Sequence, residues 1–487
     1  MNIKNIINNR LPARSFARNV ITLMTGTTFA QALAVLVSPI ITRMYSPENF
    51  GVFALYTSIL GVLAVGACLR YELAIVLPEK DQDAANLLAL SIIVCCGMAG
   101  LILSLVAVLR VPVANLLGAP ELALWFWFLP LSLVTTGLFQ AFNYWSTRQK
   151  QFRRLATRTI TLSTVTAGAQ IGNGAIFNCG SGCLIGGSIL GQLTATGLLA
   201  CQIGKNEGKL LKSYIVGSNI KRMLARYKDF PIYSSWSGLL NSASIMLPAL
   251  LLGYFFTPVV VGYYALGHRV LALPMGVIGN SVSQVFFPRA TEARRSGGLD
   301  RVTFNLFKRL LEIGFVPMML LTIVAPDLFA LVFGYQWWTA GEYVRWLSLW
   351  LIFVFISSPL STIYLVLERQ KIGFVMDAVM FCTRLLVLII GGLMGEPLFT
   401  IAMFGITGAI LWFLNCTYIL FMAGVPIKQV CVAILQRVII AIPFAFVPLI
   451  VLHIFDNSTA FVLAGVVSGL GFIVYQLFRI GKAGELI

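Results

Sequence analysis

Residues 397–427 read PLFTIAMFGITGAILWFLNCTYILFMAGVPI, with no Asp, Glu, Lys or Arg among them. A helix needs roughly 20 apolar residues to cross a bilayer core, and a charge at the centre costs about 2.5–3.5 kcal/mol on the lenient insertion scale. So long a charge-free stretch reads as membrane-embedded. Thr159–Gly204, Phe230–His268, Val438–Phe455 and Asn457–Phe478 carry no formal charge either. Of the 487 residues, 58% are hydrophobic and 11% charged, where a soluble domain is about 25% charged. A soluble globular enzyme, a disordered chain and a disulfide scaffold are thereby excluded. An all-α polytopic membrane protein is expected.

The turn-forming break Asn178-Cys179-Gly180-Ser181-Gly182 divides the longest stretch. About fourteen transmembrane helices are then predicted: 18–43, 48–69, 84–109, 122–145, 157–177, 184–204, 230–255, 259–287, 308–333, 343–366, 371–394, 398–423, 430–453 and 459–479. Basic residues test this count. Lys4, Arg10, Arg14 and Arg18 precede the first span, and alternate connections hold clusters such as Arg148 to Arg158, Lys205 to Lys228 and Arg289 to Arg309. Thirty basic residues fall on that side, against Arg43, Arg110 and Arg345 on the other. Short cytoplasmic loops carry such an excess, so both termini are expected in the cytoplasm. The net charge of +17 is read as helix orientation, with no nucleic-acid partner. Cys179 and Cys183 lie near the expected outer face, where a disulfide competes with plain apolar filling.

Two halves of the chain share spaced signals. Ser46-Pro47 with Gly51 recurs as Thr257-Pro258 with Gly262, an offset of 211. Ser or Thr caps a helix, and Pro suits its first position, where no amide donor is needed. Leu77-Pro78 answers Phe287-Pro288, Leu117-Gly118 answers Phe333-Gly334, and Arg148-Gln149-Lys150 answers Arg369-Gln370-Lys371. The order predicts two parallel-repeat six-helix bundles, 1–204 and 205–427, plus a C-terminal helix pair, 428–487. Parallel repeats of this kind are related by an axis along the membrane normal.

At these anchors the sequence resembles a known family. Arg43-Met-Tyr-Ser-Pro-Glu-Asn-Phe-Gly51, Tyr71-Glu-Leu-Ala-Ile-Val-Leu-Pro78, Arg269-Val-Leu-Ala-Leu-Pro274 running on to Gln284-Val-Phe-Phe-Pro-Arg289, and Phe333-Gly-Tyr-Gln-Trp337 with Ala340-Gly341 carry the likeness. They resemble the polysaccharide-export branch of the multidrug/oligosaccharidyl-lipid/polysaccharide flippase superfamily, the Wzx-type O-antigen flippases. The resemblance implies two six-helix lobes around a central cavity, in the bacterial inner membrane. It implies alternating access that moves an undecaprenyl-pyrophosphate-linked oligosaccharide, such as an O-antigen unit for lipopolysaccharide, from the cytoplasmic to the periplasmic leaflet. A polysaccharide polymerase and a chain-length regulator are the partners it implies, with membrane lipid around them. No catalytic residue and no cofactor are implied, only H+ or Na+ as a coupling ion.

Ionisable residues inside the spans are the best site candidates, because their expense needs a reason. Arg269 falls roughly 15 Å into its helix at 1.5 Å per residue, and Arg384 also falls near mid-membrane. Their fixed charge and fork geometry suit a pyrophosphate; a buried ion pair is the structural alternative. Asp377 shares the Arg384 helix face two turns away, and it and Glu312 are the ion-coupling candidates. Arg43, at an outer helix end, suits anion release or simple snorkelling. His268 reads as a polar packing residue, and Arg70 with Glu72 as entry residues or loop charge. Gln140, Asn143, Asn241, Gln284 and Asn415 suit sugar hydroxyls or neighbouring helices equally. Asp81-Gln82-Asp83 imitates a metal pair, but acids at a helix start also suit its dipole, and no metal is assigned.

The competing functions are a lipid II flippase or a cation-coupled drug exporter of the same superfamily, and a membrane-embedded polymerase or glycosyltransferase. A drug exporter calls for acids in its cavity, and two midplane arginines oppose that. The transferase reading calls for large extramembrane loops, and the longest connection here is roughly 25 residues.

Overall fold

A computed structural model describes residues 16–177, 179–274, 279–455 and 458–483. Among the described residues regular structure is helical throughout, and twelve helical segments are long and apolar enough to cross a membrane. Contacts divide the chain into two compact units, Met1–Val261 and Gly262–Ile487.

The first unit holds α1 (Phe16–Met44), α2 (Pro47–Val65), the single turn α3 (Tyr71–Ala74), α4 (Asp81–Leu116), α5 (Leu129–Arg148), α6 (Phe152–Phe177), α7 (Ser181–Tyr214), α8 (Gly217–Arg226) and α9 (Ser235–Phe255). α1 packs on α6, α6 on α7, α4 on α5, and α9 on α2. Residues 205–261, expected in the second bundle from the repeat, thus lie within the first compact unit. At one end Tyr71, Ile75, Leu87, Trp145, Leu199 and Met223 close a core from five helices.

The chain crosses the unit boundary within α10 (Pro258–Pro274), followed by α11 (Asn280–Ser296), α12 (Leu299–Phe333), α13 (Trp338–Leu360), α14 (Gln370–Met394), α15 (Pro397–Met422), α16 (Ile427–Phe455) and α17 (Ser458–Ala483). α13 packs between α12 and α15, α14 on α15, and the closing pair α16–α17 on α12, where Val316 and Leu320 meet Ala441 and Phe472.

The expected fourteen spans are not all matched. The expected span 259–287 is two helices: α10 ends at Pro274 and α11 starts at Asn280, and residues 275–278 lie outside the described ones. α6 is long enough but too polar, with Thr159, Thr161, Thr164, Thr166, Gln170 and Asn173 along it. Many cations expected in connections are on helix extensions instead. α4, α7 and α12 run 36, 34 and 35 residues, well beyond the roughly 20 a bilayer needs. Lys4, Arg10 and Arg14 lie outside the described residues.

The repeat anchors meet three fates. The Ser46 hydroxyl accepts from the Asn49 amide, and the first-turn bonds Phe50 N–H to Ser46 O (3.2 Å) and Val261 N–H to Thr257 O (3.3 Å) keep the offset of 211. Gly51 has a direct reason: a Cβ there would run into the Pro258 carbonyl, so α2 crosses the start of α10 only through glycine. Gly118 (φ 64°) and Gly334 (φ 107°) both follow long helices in the left-handed half of φ space, which favours glycine. Pro78 and Pro288 differ, since Pro78 is in a loop and Pro288 inside α11. The Arg-Gln-Lys anchor is out of register by three. Lys150 (φ 56°) matches Glu368 (φ 59°), and the bonds Gln151 N–H to Ser146 O and Arg369 N–H to Tyr364 O, both 2.8 Å, match at an offset of 218 (369 − 151).

Candidate functional site

Three helices of the second unit bring aromatic rings to Arg384. His268 of α10 stacks on Tyr264, one turn earlier (centroids 5.6 Å apart), and on Trp350 of α13 (6.4 Å). The Arg384 guanidinium, on α14, lies 5.1 Å from the Trp350 ring centre. Phe404 of α15 closes the other edge of the indole at 5.2 Å. A ring face attracts a cation through its quadrupole, more strongly once water is excluded. The helices come this close because α15 presents glycines: a Cβ on Gly405 would strike the Trp346 carbonyl, and one on Gly408 would lie 3.0 Å from the indole.

Arg384 is half-buried and makes no hydrogen bond or ion pair among the described residues. Asp377, two turns earlier on α14, is exposed. The Trp350 Nε1–H is buried and also lacks a partner among the described residues. The arrangement is a fixed cation on an aromatic bed, with a spare donor beside it: chemistry suited to an anion.

Arg269, next to His268, is exposed and has no hydrogen bond or ion pair among the described residues. Arg43 is exposed in the last turn of α1. Glu312 of α12 accepts a hydrogen bond from Arg437 of α16, which is 3% exposed. Arg437, one of the thirty basic residues assigned to the expected cytoplasmic side, is buried within a helix. Arg158 is similar: buried in α6, it donates to Gln192 at 2.9 Å and covers the Phe139 ring. Asp81 pairs with Arg148 (2.9 Å) and Asp83 with Arg222 (2.7 Å), so the two acids turn to different partners. Asn415 bonds Tyr364 (2.7 Å) and Ser357, and Gln140 donates to the Ala64 carbonyl; both fasten helices. The Gln284 side chain lies outside the described residues. Cys179 and Cys183 are joined as a disulfide at the start of α7.

A second polar cluster is formed by Arg70 and Glu72, which the sequence offers as entry residues or loop charge. Between α2 and α4 the backbone takes positive φ at Leu69 (48°) and Arg70 (64°), uncommon for residues with a Cβ. The turn tucks Glu72 to 1% exposure, 3.8 Å from Arg70. Glu72 Oε2 and Arg70 Nε lack partners among the described residues. Burial pushes the Glu72 carboxyl above its ordinary value, against the pull of Arg70. Gly238 of α9 makes room for the guanidinium, since a Cβ would collide with it. The available signal was an acid followed at once by Leu-Ala-Ile-Val-Leu, where a solvated loop charge has no reason to sit.

The sequence profile of the polysaccharide biosynthesis protein family matches residues 40–342, more than half of the chain. The chain belongs to that family. A relative within polysaccharide biosynthesis, teichuronic acid biosynthesis protein TuaB of Bacillus subtilis (strain 168), is 24% identical over 155 residues, 31% of this chain and 32% of its own length. The match thus spans about a third of that relative. Among solved structures, the lipid II flippase MurJ in an inward closed conformation superposes with a TM-score of 0.73 at 15% identity, covering 96% of this chain and 100% of that one. An inward-facing multidrug resistance MATE transporter of the MOP superfamily gives 0.57 at 14% identity, covering 82% and 96%. The family member described here therefore has the MurJ/MATE-like fold of a multi-pass membrane protein.

Proposed function

We propose that the protein moves an undecaprenyl-pyrophosphate-linked oligosaccharide repeat unit from the cytoplasmic to the periplasmic leaflet of a bacterial inner membrane by alternating access. The observation that carries the reading is Arg384: a half-buried cation within a membrane-embedded helix, bedded on Trp350 and lacking an ion pair among the described residues. A charge so placed is costly unless it serves an anion or a water-filled path. A pyrophosphate-linked head group answers that need, and family membership in polysaccharide biosynthesis supports it. Arg269 is the second cation for the same head group, and Arg43 assists release. Asp377 and Glu312 are the acids proposed to couple movement to H+ or Na+, and Glu72 is a third. The two six-helix lobes with an added pair, and termini in the cytoplasm, belong to the same proposal.

Replacing Arg384 by Ala is expected to abolish surface polysaccharide made by a cell that depends on this protein, while Lys retains part of it. Arg269→Ala is expected to weaken it. Full surface polymer with both Ala variants overturns the cationic site. A drug exporter of the same fold is disfavoured because the aromatic bed holds a cation already.

A further inference from the structure

At the start of α16 a cavity of about 310 Å³ opens against α12, lined by Lys308, Lys428, Gln429, Gln436, Phe304 and Val432. A second hollow of about 280 Å³ is lined by Phe421, Gly424, Val425, Pro426 and Ile427, the last of these next to Lys428 in the chain. One hollow is cationic and amide-rich; the other is apolar.

The acids nearby do not neutralise the lysines. Glu312, one turn beyond Lys308 on α12, is engaged by Arg437, one residue after Gln436. Asp300 approaches Gly424 beside the apolar hollow and forms no ion pair with either lysine among the described residues. Lys308 and Lys428 have no hydrogen bond or ion pair among the described residues. Two ammonium groups thus share one pocket without an anion.

Depth identifies the ligand class. Lys428 lies in the first turn of the candidate span Ile427–Ile454, and the ends of a span are where lipid headgroups meet water. Lys308 is in the first third of α12, whose 35 residues outrun the bilayer core. At about 310 Å³ the cavity is at the small end of ligand pockets, which run to about 1,000 Å³. It has room for a phosphate and a short polyol.

We propose that this pocket binds the phosphodiester headgroup of an anionic phospholipid. Lys308 and Lys428 hold the phosphate, Gln429 and Gln436 meet the polyol hydroxyls, and the apolar hollow takes the first methylenes of an acyl chain. The site is separate from the transported cargo and fastens α16 to α12 through a resident lipid.

The test is native mass spectrometry of the full chain, stripped of lipid in a neutral detergent and offered phosphatidylglycerol or phosphatidylcholine of the same chain length. Preferential retention of phosphatidylglycerol is expected. Lys308→Gln with Lys428→Gln is expected to weaken it about thirtyfold, since a cation near an anionic lipid surface contributes about fivefold. The corresponding double Arg variant is expected to retain the lipid. An unchanged thermal midpoint of the Gln variant in phosphatidylcholine shows that it folds. Equal binding of both lipids, or wild-type retention by the Gln variant, overturns the proposal. Displacement of the lipid by glycerol 3-phosphate would make this a free-phosphate site. Tighter binding of undecaprenyl phosphate would assign the pocket to the carrier; either result overturns the assignment to a phospholipid.

Discussion

Glu72 has one carboxylate oxygen on the Arg70 side and another with no donor among the described residues. Burial raises its pKa above the ordinary value, so the folded state holds the proton more tightly than the unfolded chain. The stability linked to that proton is fully present below the unfolded pKa, about 4.3. It is lost as pH rises through the higher folded value. Thermal midpoints measured across that window are therefore expected to fall for the wild type, and to fall less for Glu72→Gln, whose amide stays neutral. Identical pH profiles for the two would show that the carboxyl is charged and satisfied in a way the geometry does not indicate. Arg384 poses the opposite problem at the same scale. Its charge cannot be titrated away near neutrality, so the ring beneath it and whatever anion it meets must carry the cost.

At the scale of elements, the ion pair between α12 and α16 separates a coupling role from a structural one. Removing one partner of a buried pair leaves the other charge uncompensated and costs about 3–5 kcal/mol. Glu312→Gln is therefore expected to lower the thermal midpoint sharply, and Glu312→Gln with Arg437→Met to restore most of it. Recovered stability with recovered transport makes the pair a fastening. Recovered stability without transport keeps Glu312 as a coupling acid. The sequence could not show this pair, because hydropathy along one chain records that Arg437 interrupts an apolar run and not that it faces Glu312 across a helix contact. The same blindness hid the burial of Arg158 and Glu72. Elements themselves were legible where composition was extreme, as in α15. They were not where α10 gives way to α11 within one apolar run, and α6, expected at 157–177, is a helix there but too polar for a candidate span.

For the whole molecule, the all-helical membrane class was readable because it rests on a feature that persists along the chain: charge-free windows. The Arg384 pocket was readable only in part. A lone mid-helix arginine is visible in a sequence, but the Trp350 ring beneath it, and the His268 and Tyr264 rings stacked on that indole in turn, come from two other helices. Direction and cargo belong to this scale too, since they depend on every span at once. The direct test is to delete the gene and analyse the lipid carriers of the cell. Accumulation of a single undecaprenyl-pyrophosphate-linked repeat unit on the cytoplasmic leaflet, with surface polymer missing, is the expected result. Normal surface polymer with no accumulated carrier would contradict the proposed function.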